Sequence, residues 1–241
     1  MIWALDNSNN SEVLREQIML PNGCYNIAII LGNGLETYLA DKHYELKQGV
    51  YLASQVTSQS LTNIYPYSKL IMIQLPTWSL SYLTQLDLSN FKNEILQLKI
   101  APNLLNHKRI NNLKFLARVV SRFSQTVQQK PISFIHNVCN LIRDNSCSIK
   151  VSDIAAHFGI SEKYLQTKFK ENTGLTPKAY IKVLNFRRNI QQIYVNPKHK
   201  TTFNNTTGYF DQSHFIRTFK EIALTTPKKF NPSNVILPEL H

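Results

Sequence analysis

The stretch Phe169-Lys170-Glu171, followed by Thr176-Pro177-Lys178-Ala179-Tyr180, returns fifty residues later as Phe219-Lys220-Glu221, followed by Thr226-Pro227-Lys228-Lys229-Phe230. Each copy is preceded by a glycine turn and a short polar-capped segment, Gly159-Ile160-Ser161 in the first and Gly208-Tyr209-Phe210-Asp211 in the second. Identity at this spacing marks an internal duplication, and the C-terminal part of the chain is read as two copies of one helical unit.

Each copy has the grammar of a helix-turn-helix. Ser152 is placed to cap a helix carrying Ile154, Ala155 and Phe158. Gly159 ends it, because glycine adopts positive φ without a Cβ clash. Ser161 caps the next helix, from Glu162 to about Glu171, with Leu165 and Phe169 inward at i, i+4. Lys163, Gln166, Thr167 and Lys170 then share its outer face. Glutamine can bond adenine in two places and lysine can reach guanine or a phosphate, so this face suits the major groove. Thr176-Pro177 opens a third helix, expected to run to about Tyr194. Its length of roughly 27 Å, at about 1.5 Å per residue, is near one DNA turn of about 34 Å. One chain can therefore present two reading helices to successive major grooves.

These residues resemble the DNA-binding domain of the AraC/XylS family of transcription regulators. The resemblance is carried by Val151-Ser152-Asp153-Ile154-Ala155-Ala156-His157-Phe158-Gly159-Ile160-Ser161, by Tyr164-Leu165 to Phe169-Lys170, and by Gly208-Tyr209-Phe210-Asp211-Gln212-Ser213-His214-Phe215. It implies base-contacting positions at Lys163, Gln166 and Thr167 in the first unit and at Gln212, Ser213, Ile216 and Arg217 in the second. Lys170 and Lys220 extend the two basic faces. The chain departs from the family pattern at Asn185, Asn189 and Asn204, and at Leu224, where the family closes the helix with glycine. The run Thr201-Thr202-Phe203-Asn204-Asn205-Thr206-Thr207 is poor in helix formers. A weakly supported second unit is the expectation, with Asn189 and Asn204 costing stability if buried without partners.

Upstream, short β-like runs alternate with turn residues: Tyr25–Leu31, Gly49–Ala53, Gln55–Leu61 and Lys69–Leu75, broken by Pro21-Asn22-Gly23, Gly32-Asn33-Gly34 and Tyr65-Pro66-Tyr67. This spacing predicts a small β-barrel or sandwich. Pro21-Asn22-Gly23-Cys24 and the Gly49 to Gln59 stretch resemble the cupin-like sensor domain of some AraC/XylS members. Ile29, Leu31, Met72 and Ile73 are equally readable as pocket lining or as core. Ile110, Leu113, Leu116, Val120, Phe123 and Val127 recur every three or four residues, as an amphipathic helix that packs on the β domain or pairs with a second copy. The fold class is α+β, with residues 1–130 as a cupin-like sensor or dimerisation domain and 131–241 as a double helix-turn-helix domain, its units at about 152–171 and 201–221. A fragment beginning at Pro131 is expected to fold alone.

The chain has 27 Lys and Arg against 15 Asp and Glu, a formal charge of +12. Residues 1–130 hold 12 basic and 8 acidic groups, and residues 131–241 hold 15 and 7. The excess lies in the duplicated part, as double-stranded DNA as partner requires. Cys24, Cys139 and Cys147 lack disulfide or zinc spacing. A catalytic metal needs about three protein ligands, and the β region offers only His43, with Glu36, Asp41 and Glu45 read as loop charges. No metal, cofactor, phosphate loop or catalytic triad is assigned, and no enzyme activity is expected. The N-terminus does not read as a signal peptide, and no apolar run is long enough to span a membrane. The expected function is a cytoplasmic, sequence-specific transcription regulator. A small-molecule effector, a homodimer and a contact with RNA polymerase, as an activator would make, are the partners that the resemblance leaves open. The alternatives are a cupin-class enzyme with a basic appendage, or a regulator whose impaired second unit acts through protein–protein contact.

Overall fold

The strand Tyr25–Leu31 is wholly buried because it serves two cores at once. Its side-chain period of two sends Tyr25, Ile27, Ile29 and Leu31 to one side and Ala28 and Ile30 to the other. The computed structural model describes residues 1–83, 87–99, 133–145, 149–195 and 208–236. In chain order the strands are β1 (Ile2–Asn7), β2 (Leu14–Met19), β3 (Tyr25–Leu31), β4 (Leu35–Leu39), β5 (Lys42–Leu46), β6 (Gly49–Ala53), β7 (Ser60–Ile64), β8 (Ser68–Leu75), β9 (Ile95–Leu98) and β10 (Val235–Ile236). The helices are α1 (Ser79–Leu83), α2 (Ser133–Asn145), α3 (Val151–His157), α4 (Glu162–Thr173), α5 (Pro177–Val195) and α6 (Gln212–Ala223).

The strands form two sheets, ordered β1-β8-β3-β6-β9 and β10-β2-β7-β4-β5. Ala28, Ile30, Leu70 and Met72 of the first meet Leu35, Leu46 and Ile64 of the second in a shared interior. The architecture is α+β, as expected, with a two-sheet β unit joined to a helical part. Tyr25–Leu31 and Gly49–Ala53 are strands with the expected bounds, and the run expected at Lys69–Leu75 starts one residue earlier, at Ser68. The remaining run needs correction, because the strand expected at Gln55–Leu61 is Ser60–Ile64. Side-chain and loop hydrogen bonds hold the backbone before it: the Thr57 amide donates to Asn93 Oδ1 at 3.0 Å and the Asn93 amide to the Gln55 carbonyl at 3.0 Å. Of the charges read as loop residues, Asp41 lies in the turn between β4 and β5, but Glu36 and Glu45 are strand residues, and His43 Nε2 lies 3.1 Å from Glu36 Oε2 across the β4–β5 pair. At the Gly32-Asn33-Gly34 turn both glycines have positive φ, and a Cβ on Gly32 would lie 1.9 Å from the Tyr67 carbonyl oxygen. The amphipathic stripe from Ile110 to Val127, the 130/131 boundary and the Thr201–Thr207 run lie outside the described residues.

The two parts of the chain interlock. The outer face of the first sheet is covered by Leu80 and Leu88, and the Leu88 amide donates to the Glu171 carbonyl at the end of α4 at 3.3 Å. Leu20, with Ile18 beside it, enters the core that Phe186, Ile190, Phe215, Phe219 and Phe230 build. Beyond α6 the chain returns to the β unit, where Val235 and Ile236 pair in parallel with Ile18 and Met19. The Tyr194 hydroxyl fixes that return by donating to the carbonyls of Pro232 and Val235, at 2.7 and 3.1 Å. The Gln59 amide donates to the Ile222 carbonyl at 2.7 Å, tying β unit and second helical unit directly.

Candidate nucleic-acid interface

Helix α4 is built as its sequence dictates. Ser161 Oγ accepts from the Tyr164 amide at 3.2 Å, and Gly174 ends the helix in the left-handed region at φ +73°. A side chain at Gly174 is excluded twice, since its Cβ would lie 2.8 Å from the Phe91 carbonyl oxygen. Leu165 and Phe169 are fully buried, against α2, α3 and Tyr180. That leaves Lys163, Gln166, Thr167 and Lys170 exposed together on the opposite face. One cap differs from expectation. Helix α3 begins at Val151, so Ser152 lies inside it, and Asp153 Oδ2 accepts from the Lys150 amide at 3.0 Å instead. Gly159 has the required positive φ of +64°.

The α5 rod follows from Thr176, whose Oγ1 accepts from the Ala179 amide at 3.2 Å, with Pro177 at the first helical position. It spans 19 residues, about 28 Å at about 1.5 Å each. Asn185 and Asn189 are both buried on it, and the Asn189 side chain donates to the Asn185 carbonyl at 2.7 Å, so Asn189 is partnered rather than orphaned.

Helix α6 repeats the plan of α4. Asp211 accepts from the His214 amide at 2.7 Å as the N-cap. Phe215, Thr218, Phe219, Ile222 and Ala223 are buried, and Phe219 meets Phe186, Phe215 and Phe230 with ring centroids 5.3–5.7 Å apart. Gln212, Ser213, Ile216, Arg217 and Lys220 are exposed on the other face. The 2.5 Å ion pair between Lys182 and Glu221 links the rod to α6. The structure therefore groups the sequence-assigned residues into two outward faces, one per unit, separated by the rod. The expected looseness of α6 rests on the Thr201–Thr207 run, which lies outside the described residues; among the described residues the α6 core continues into Leu20 and Ile18 of the β unit. Sequence reasoning missed that buttress, which no local pattern encodes. It also passed over Phe210, which is 91% exposed beside the α6 N-cap.

Leu224 ends α6 at φ +51°, the left-handed conformation that Gly174 takes without strain in the first unit. It is 62% exposed, so little packing offsets the strain. Leu224→Gly is expected to stabilise the protein by about 1 kcal/mol, the difference between a left-handed penalty of about 1–2 kcal/mol and the added chain entropy of glycine. A denaturant midpoint that falls, with the slope unchanged, would refute this.

Inside the β unit a cavity of about 80 Å³ is lined by Ala28, Ile30, Leu39, Leu70, Met72 and Ile236. Of the four residues read as pocket or core, Met72 lines it. Ile29, Leu31 and Ile73 belong to the opposite core, as the period of two requires. A larger cleft, about 480 Å³, lies between the β unit and α5, with Asn22, Thr77, Arg143, Tyr180 and Arg187 on its walls. Arg187 donates from it to the Asn22 carbonyl at 2.9 Å, and its burial lowers the guanidinium pKa. Cys139 is buried and its thiol is pushed up to about 12 by desolvation, while Cys147 lies outside the described residues. Among the described residues no three His, Cys, Asp or Glu side chains converge, and no helix is long and apolar enough to cross a membrane.

Comparison with known proteins agrees with this geometry. Residues 154–232 match a family described as a helix-turn-helix domain. The chain is 25% identical over 134 residues to the Msm operon regulatory protein of Streptococcus mutans serotype c, a match that spans 50% of this chain and 48%, about half, of that protein. In overall fold it is similar to ToxT from Vibrio cholerae O395, with a TM-score of 0.53 at 14% identity over 95% of this chain and 94% of that one. A second crystal form of ToxT from Vibrio cholerae gives a TM-score of 0.52 at 12% identity, over 95% and 96%.

Proposed function

We propose that the chain is a sequence-specific DNA-binding transcription regulator of the AraC type, a reading supported by the match of residues 154–232 to a helix-turn-helix domain family. The carrying observation is the paired exposure of Lys163, Gln166, Thr167 and Lys170 on α4 and of Gln212, Ser213, Ile216, Arg217 and Lys220 on α6, with a rod of nearly one DNA turn between the helices. The protein acts by binding rather than by chemistry, in the cytoplasm where its DNA lies. Lysine and arginine fix the register through phosphates, and the two helix faces read base edges in successive major grooves. The sound cap and core of α6 favour this over a second unit that serves protein contact alone.

The β unit is the regulatory part in this reading. A small-molecule effector has two places to act, the apolar cavity that Ile236 closes and the wider cleft that touches β unit and rod together. Either would shift how α6 is held, and so change DNA affinity or the approach of RNA polymerase. Homodimerisation would add a second pair of reading helices.

Salt titration tests the DNA reading. Log affinity for duplex DNA is expected to fall linearly with log salt, with a slope near −0.9 per phosphate neutralised. For about six contacts that is a loss of about 1,000-fold between 50 and 200 mM. A flat response in mobility-shift titrations would remove DNA as the partner.

A further inference from the structure

The two reading faces differ in chemistry. The residues assigned to reading on α4, Lys163, Gln166, Thr167 and Lys170, are all polar, and the exposed aromatic of that helix, Tyr164, lies beside Phe134 with ring centroids 6.3 Å apart. The α6 face carries Ile216, 40% exposed, between polar and basic neighbours. Ile216 lies one helical turn beyond Gln212 and one residue before Arg217, inside the segment that meets base edges when a recognition helix enters the groove. Beside the helix N-terminus stands Phe210.

Among the described residues neither side chain belongs to a buried core. A hydrophobic residue preceding the N-cap ordinarily packs on the fourth helical residue, here Phe215. In this chain Tyr209 takes that place, with its ring 5.3 Å from Phe215 and 5.4 Å from His214. Phe210 is left outside. The buried side of α6 is formed by Phe215, Thr218, Phe219, Ile222 and Ala223, and Ile216 is not among them. Single exposed apolar residues are ordinary. Two of them on the segment that faces DNA, flanked by Arg217 and Lys220, call for an apolar group on the DNA. In the major groove only thymine offers one, its C5 methyl.

We propose that the second unit selects thymine by methyl contact: Ile216 packs on a thymine C5 methyl, and Phe210 covers the neighbouring sugar or a second methyl at the helix N-terminus. The first unit reads by hydrogen bonds, so the two half-sites differ in kind. Arg217 and Lys220 hold the phosphates on either side of the methyl contact. This rests on the regulator reading above and specifies what its second half-site must contain.

The probe is a duplex recovered by the full chain from random DNA, resynthesised with single thymines replaced by deoxyuridine. That change removes only the methyl and keeps charge and base pairing. At one or two positions in one half-site, affinity is expected to fall about three- to five-fold per methyl, the scale of one buried methylene. Ile216→Ala, a surface change to a good helix former, is expected to bind thymine and uracil duplexes alike at the Ile216 position, and Phe210→Ala to weaken binding of both duplexes there about equally unless it covers a second methyl. The coupling between the base change and Ile216→Ala is the measured quantity. A wild-type protein indifferent to uracil throughout, or an Ile216→Ala protein that still discriminates as wild type does, overturns the inference while leaving DNA binding intact. Failure to recover any duplex overturns the regulator reading and this inference with it.

Discussion

Phe219→Ala is expected to destabilise the second helical unit by about 3–5 kcal/mol, the usual result of deleting a fully buried phenyl ring. Phe219 has no solvent exposure and sits among Phe186, Phe215 and Phe230. These rings come from the rod, from the reading helix and from the loop after it, so no single neighbour can move in to fill the void. A loss of this size is a large part of an ordinary folding free energy of about 5–15 kcal/mol. The effect on DNA should be regional. Footprints should shrink from two grooves to the one read by α4, because Phe169 still anchors that helix in a separate core. Phe169→Ala is the mirror experiment and should erase the other half of the footprint. A Phe219→Ala protein within about 1 kcal/mol of wild type in denaturant melts would show that the aromatic cluster does not hold α6.

A fragment that begins at residue 131 is expected to keep helical content but to lose the defined packing of its second unit. The sequence, with its caps and charge excess after residue 130, reads as an independent domain. The structure places Leu20 and Ile18 of the β unit in the same core as Phe215 and Phe219, and among the described residues β10 pairs with β2 alone. Removing residues 1–130 strips two aliphatic side chains from that core, about 1.5–3 kcal/mol each when fully buried. It also takes away the Gln59 bond to Ile222 and the Asn22 acceptor of Arg187. The fragment should therefore bind specific duplex far more weakly than the full chain, by about 100-fold or more if the α6 face is lost. Hydrogen exchange should show α6 amides unprotected and α4 amides less affected. Equal affinity of fragment and full chain would mean that the interlock contributes nothing to reading.

In the regulator reading proposed above, the interlock would be a route for regulation. Ile236 lines the β-unit cavity while its neighbour Val235 packs on the second helical core. A ligand that displaces Ile236 would therefore disturb the support of α6 before that of α4.

What the sequence by itself determined lies within a few residues of each position. The duplication announced two equivalent units, and the Ser161 and Thr176 caps and the turn glycines Gly159 and Gly32 behave as their chemistry requires. So do the exposed faces of α4 and α6, since the period of 3.6 leaves Lys163 and Gln166 outside once Leu165 and Phe169 are inside. The strand Tyr25–Leu31 was legible because a run apolar at every position but Asn26 reads as a strand buried on both sides. The tertiary structure alone decided which side of β3 faces the cavity, since a period of two names two faces without saying what covers either. It decided that Tyr209 rather than Phe210 staples α6. It joined Val235 and Ile236 to Ile18 and Met19 across more than 200 residues. A cap or a turn is a hydrogen bond between near neighbours and can be read from their identities. A strand pairing between distant segments depends on which complementary edge is free when the chain folds back, and no local pattern carries that choice.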